Sequence, residues 1–165
     1  MKQTSLFLLL ILLSFATVKA QLKENRKTEF SLGLEAGLPA GTPGLSNLYS
    51  FALGGSVMGT YKISSDFRFT LKAGYIHYFI KGGGKGDGFI PVLAGFRYYF
   101  TPQVYFAGQM GIAFSTLSNG GSGFCYSPGI GFRLSSKVIF LVRYEATYNS
   151  GLNIGNFGAR IGYNF

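Results

Sequence analysis

The stretch Phe89–Ser115, FIPVLAGFRYYFTPQVYFAGQMGIAFS, decides the fold. Ile90, Val92, Ala94, Phe96, Tyr98 and Phe100 take every second position, with Leu93, Gly95, Arg97 and Tyr99 between them. After Thr101-Pro102 the alternation resumes as Val104, Phe106, Gly108, Met110, Ile112 and Phe114, set against Tyr105, Ala107, Gln109, Gly111 and Ala113. Strand side chains point alternately to opposite faces, so one face is apolar and the other small or polar. Each arm runs about 11 or 12 residues, twice the usual globular strand of ~5–6. That length suits a tilted membrane-spanning strand, which needs roughly 9–11 residues. The pattern predicts a transmembrane hairpin.

The first twenty residues predict export. Lys2 opens the chain, Leu6–Phe15 is almost unbroken apolar sequence, and Val18-Lys19-Ala20 places small residues for cleavage before Gln21. This is the layout of a secretory signal peptide, and its apolar core is too short for a spanning helix of roughly 20 residues. No cysteine stands at the cleavage position to take a lipid anchor. The expected division is a signal peptide at 1–20 and one domain at 21–165.

The full chain carries 15 basic and 6 acidic residues, and loss of Lys2 and Lys19 leaves 13 against 6. In a cytosolic protein that excess would suggest nucleic acid; export argues against that partner, and the excess suits anionic lipid or lipopolysaccharide phosphates instead. The single cysteine, Cys125, cannot form an intramolecular disulfide and is expected to be buried or lumen-facing. Charged residues make up only 13% of the chain, half the ~25% of soluble domains, so a water-covered surface would be hard to build.

The same alternation recurs along the chain. Strands are expected at about 28–38, 50–63, 67–79, 89–100, 104–115, 124–134, 138–148 and 154–165. Short turns are predicted at Ser64–Asp66, Thr101–Pro102 and Ser135–Lys137, and longer loops at Pro39–Tyr49, Lys81–Gly88, Thr116–Gly123 and Asn149–Asn153. Gly54, Gly55 and Gly59 are expected to mark bulges or curvature, and Pro128 a bulge that slips its strand's register by one. Pro91 is placed near the rim, beyond the membrane core. An even strand count with short turns at one end and longer loops at the other is the plan of an eight-stranded antiparallel up-and-down transmembrane β-barrel, an all-β fold. Aromatic girdles are expected from Tyr61, Phe67, Tyr98, Phe100, Phe132, Tyr163 and Phe165 at the turn end. Tyr75, Phe79, Phe89, Phe114, Phe124 and Tyr148 are expected to form the girdle at the loop end.

IPVLAGFRYYF with its two-residue turn, YSPGIGFRL, LVRYEATY and the closing ARIGYNF resemble the outer-membrane β-barrel (porin-like) family of Gram-negative bacteria. The resemblance implies residence in the outer membrane with both termini on the periplasmic side. Tyr163-Asn164-Phe165 is similar to the C-terminal aromatic signal read by the barrel-assembly machinery, which makes Tyr163 and Phe165 the expected assembly signal. The resemblance identifies fold and location, not a task.

Parity sends Glu35, Arg68, Lys72, Arg97, Gln109, Arg133, Arg143, Glu145 and Arg160 to the lumen. Eight strands enclose a space that side chains fill, so these residues are expected to form a structural plug in which Glu35 and Glu145 pair with arginines. The alternative is a narrow path for small anionic or hydrophobic solutes lined by Arg97, Arg133, Arg143 and Arg160. His77, the only histidine, shares parity with Tyr75 and Phe79 and is expected outward at the membrane boundary, with no nucleophile or acid to form a catalytic set. KGGGKGDG lacks the ending of a phosphate loop and is followed by a strand, so it reads as a surface loop. Lys81 and Lys85 there are possible contacts for lipopolysaccharide phosphates, and Asp87 alone cannot hold calcium. No cofactor or metal is expected. The functional expectation is a non-enzymatic, monomeric envelope protein with a structural or surface-interaction role. A secreted, soluble, lipocalin-like barrel is the rival, disfavoured because the small and polar face holds too few charges to be water-facing.

Overall fold

The computed structural model of the chain describes residues 27–84, 86–117, 120–149 and 151–165. The expected signal peptide and the lead-in through Arg26 lie outside them, as does Lys85. Eight strands follow in order: β1 (Thr28–Gly41), β2 (Tyr49–Lys62), β3 (Phe67–Ile80), β4 (Asp87–Tyr99), β5 (Val104–Ser115), β6 (Ser122–Arg133), β7 (Val138–Asn149) and β8 (Leu152–Asn164). Each pairs antiparallel with its neighbours in sequence, and β1 pairs with β8 to close the barrel. A short helix, α1 (Leu45–Leu48), bridges β1 and β2. Twelve residues at about 3.3 Å each, tilted by ~45°, rise roughly 28 Å, close to the ~30 Å hydrocarbon thickness.

The outer surface is apolar because one parity of every strand is apolar. Leu34 is 77% exposed, Phe30 65% and Met110 62%, an exposure that water would penalise and lipid does not. The barrel therefore spans a membrane, and the soluble arrangement with its apolar face inward is not the one formed.

The three short turns are one device used three times. Ser64 Oγ accepts from Phe67 N at 3.1 Å, Thr101 Oγ1 from Val104 N at 3.0 Å, and Ser135 Oγ from Val138 N at 3.0 Å. A hydroxyl that caps a backbone N–H in this way fixes a tight turn without glycine.

Several expectations need correction. Pro39, Ala40 and Gly41 belong to β1 and Tyr49 opens β2, so the first loop is shorter than expected. Asp87 and Gly88 likewise belong to β4. The Asn149–Asn153 segment is a tight hairpin, with Asn149 paired to Leu152 and Gly151 at φ 86°. Gly54 and Gly55 cause no slip; the one β2–β3 register shift lies at the rim, between Tyr49 and Phe51. Pro128 does not shift β6 either. Its missing N–H omits residues 127 and 128 from the β7 ladder, yet the same register holds on both sides and Pro128 still pairs with Gly108 on β5. Pro91 interrupts the β3 ladder the same way and is fully buried, facing the lumen. Phe89 is not a girdle residue: it is buried in the lumen, edge-on to Tyr78 at 5.7 Å.

Candidate functional site: the barrel lumen

Cross-strand register brings five of the expected lumen residues into one network halfway up the barrel. Arg143 Nη2 lies 2.5 Å from Glu35 Oε2 and 3.1 Å from Glu145 Oε2. Lys72 Nζ lies 2.6 Å from Glu145 Oε2 and 3.6 Å from Glu35 Oε1. Arg160 Nε stands 3.6 Å from Glu35 Oε1. Ser56 Oγ donates to Glu35 Oε1 at 2.6 Å and accepts from Arg160 Nε at 2.9 Å, while Arg160 Nη2 donates to Ser31 Oγ at 3.1 Å. All five ionised side chains are buried. Ions withdrawn from water hold only when paired and hydrogen-bonded, and this set is. Lysine, not arginine, makes the shortest contact to Glu145.

The other four residues lie apart from this network. Gln109 Nε2 donates to Thr70 Oγ1 at 3.0 Å. Arg97 donates through Nη2 to Met58 Sδ at 2.8 Å and lies over the Tyr105 ring at 5.0 Å. Arg68 and Arg133 occupy the turn-end mouth, both against the Tyr99 ring at 4.7 and 5.4 Å. Arg68 Nη1 pairs with Glu29 Oε1 at 2.8 Å, and Arg133 Nη2 donates to Tyr99 OH at 3.2 Å. Guanidinium over aromatic faces closes this mouth.

Apolar layers flank the ionic one. Towards the loops, Tyr49, Ala52, Ile76, Tyr78 and Phe89 pack together, with Asn156 Nδ2 donating to Tyr78 OH at 2.9 Å and Tyr49 OH donating to Asp87. Towards the turns, Tyr99, Tyr105, Ala107 and Leu141 form a second layer, and Leu93, Ala113 and Cys125 a third, lateral one. Parity alone described this face as small or polar, but large aromatics occupy both ends of it. The signal that could have found them is glycine. A Cβ at Gly33 would strike the Arg160 guanidinium and one at Gly131 the Tyr105 ring, so small residues on the lumen parity mark where long side chains lie across the barrel.

On the outside, His77 faces the membrane boundary with its Nδ1 3.2 Å from Tyr75 OH and its ring edge-on to Phe79 at 4.7 Å. The carboxylate nearest in sequence, Asp87, is engaged with Tyr49 on the opposite face.

No family model matches the chain, and no curated protein does. Solved structures are similar in fold. Ail, the attachment invasion locus protein of Yersinia pestis, matches with a TM-score of 0.58 at 15% identity, covering 84% of this chain and 97% of that one. The N-terminal β-barrel domain of Pseudomonas aeruginosa OprF matches with a TM-score of 0.55 at 16% identity, covering 82% and 97%. A de novo designed transmembrane β-barrel matches with a TM-score of 0.52 at 15% identity, covering 87% and 100%. Natural and designed sequences thus share this fold with the chain, so the likeness speaks to architecture and leaves the task open. The chain is an eight-stranded transmembrane β-barrel of the outer-membrane type.

Proposed function

We propose that this protein is an exported, non-enzymatic structural component of the outer membrane, monomeric, with residues 1–20 as its signal peptide and residues 21–165 as the barrel. The observation that supports this reading best is the filled lumen. Ionic and aromatic layers occupy its height from the Tyr99 mouth to the Tyr49–Phe89 cluster. On this reading Glu35, Lys72, Arg143, Glu145 and Arg160 act as a structural plug that ties strands β1, β3, β7 and β8 together. Its partners are outer-membrane lipid and the lipopolysaccharide phosphates within reach of Lys81.

Bilayer recordings test it. The purified barrel, shown folded by a gel mobility that shifts on boiling in detergent, should give no steady conductance. The second reading, a narrow anion path, draws on the excess of lumen arginines over carboxylates. It requires an anion-selective current that falls when Arg97 or Arg143 is neutralised, and such a current would displace the structural proposal.

Tyr163 and Phe165 serve, on the same reading, as the assembly signal. Both rings face outward at the turn end, packed edge-to-face at 5.2 Å. Phe165→Ala should slow assembly in cells several-fold while leaving the stability of the refolded barrel within about 1 kcal/mol, since an exposed rim side chain contributes little to packing. Pulse-chase of the heat-shifted band, set against urea unfolding, separates the two effects.

A further inference from the structure

The buried charges of the lumen do not balance. Lys72, Arg97, Arg143 and Arg160 are all at most 2% exposed, and the carboxylates buried with them are Glu35 and Glu145. Both carboxylates are taken up by Lys72, Arg143 and Arg160. Arg97 has no carboxylate within ion-pair distance among the described residues, and its Nη2 donates to a thioether, a weak acceptor. Its cross-strand partner on β3 is another arginine, Arg68, a like-charged pairing that adds repulsion.

Arg97 and Arg160 lie within electrostatic reach of each other across the lumen. Arg97 reaches Met58 on β2, Met58 pairs with Ser31 on β1, and Ser31 Oγ receives Arg160 Nη2. Arg160 Nη1 is buried and has no hydrogen-bond partner among the described residues, and the same is true of Tyr105 OH. Tyr105 lies beneath the Arg97 guanidinium and packs with Leu141, the cross-strand neighbour of Arg160. Two guanidiniums and a phenol, all able to donate, therefore lie within electrostatic reach of one another between the ionic layer and the turn-end mouth. A buried cation without a counter-charge is destabilising, and an unfilled buried N–H adds to that.

We infer that this level is a binding site for one small inorganic anion of halide size, held by Arg97, Arg160 Nη1 and Tyr105 OH. It is an internal counter-ion that completes the charge balance of the lumen. This inference does not depend on the structural role proposed above and would hold equally for a conducting barrel.

Crystals of the folded, full-length barrel grown in sodium bromide test it directly. The expected result is an anomalous bromide peak in contact with Arg160 Nη1 and a nitrogen of Arg97. A map with an ordered water at that point and bromide nowhere in the lumen overturns the proposal. Urea unfolding in detergent gives an independent reading, with chloride exchanged for gluconate at constant ionic strength. At a chloride concentration ten times the dissociation constant the unfolding equilibrium should fall about tenfold. Arg97→Met should abolish that dependence, and a response equal to that of the unaltered protein would refute the assignment. Where Arg97→Met does not fold, Arg97→Lys keeps the charge but loses the fork, and should weaken the chloride response.

Discussion

Glu35→Gln should destabilise the folded barrel by about 3–5 kcal/mol, the cost of breaking a buried ion pair from one side. Glutamine keeps the shape, so packing is preserved and the loss is electrostatic. Glu35 accepts from Ser56 and Arg143 and lies near Lys72 and Arg160, so its neutralisation leaves the buried cations with Glu145 alone. Urea unfolding from detergent or lipid vesicles gives the number. Removing Lys72 as well, in Glu35→Gln/Lys72→Met, should restore part of the stability, because residues in one network are not additive. A single-variant loss under about 1 kcal/mol would mean that water screens this layer as it screens surface pairs, and the plug would not be dry.

Leu71→Arg should cost about 2–4 kcal/mol in a bilayer, the depth-dependent cost of an arginine on the lipid face of a barrel. Leu71 is 55% exposed on the outer wall, about a third of the way along β3 (Phe67–Ile80) from its turn end. The same change on a water-facing surface would fall within about 0.5 kcal/mol. Unfolding in vesicles, compared with unfolding in short-chain detergent, should show the loss shrinking as the apolar layer thins. A neutral result in both would contradict a lipid-facing β3.

The strands were legible because a period of two is a local property. Phe96, Tyr98 and Phe100 declare their face within six residues, and the turns at Ser64, Thr101 and Ser135 carry their own hydroxyl caps. The lumen contacts were not legible to the same degree. Glu35 and Arg143 meet because β1 closes on β8 with a stagger that sets which heights coincide, and nothing near either residue encodes that stagger. The same holds for the Arg68–Tyr99–Arg133 mouth, assembled from three strands. Pro128 misled because a lost donor was equated with a lost register. The ladder tolerates the first without the second when the opposite edge of the strand stays paired. The residue type of Phe89 suits a girdle, but its parity points to the lumen, and that is where it is buried.

The connections at the loop end are brief: residues 42–48, 81–86, 116–121 and 150–151. Chain that rises and returns within seven residues extends only about 12 Å. An antibody footprint of roughly 20–30 residues would have to take in nearly all four connections at once. A loop end turned outward beneath surface polysaccharide taller than that would offer an antibody almost no epitope.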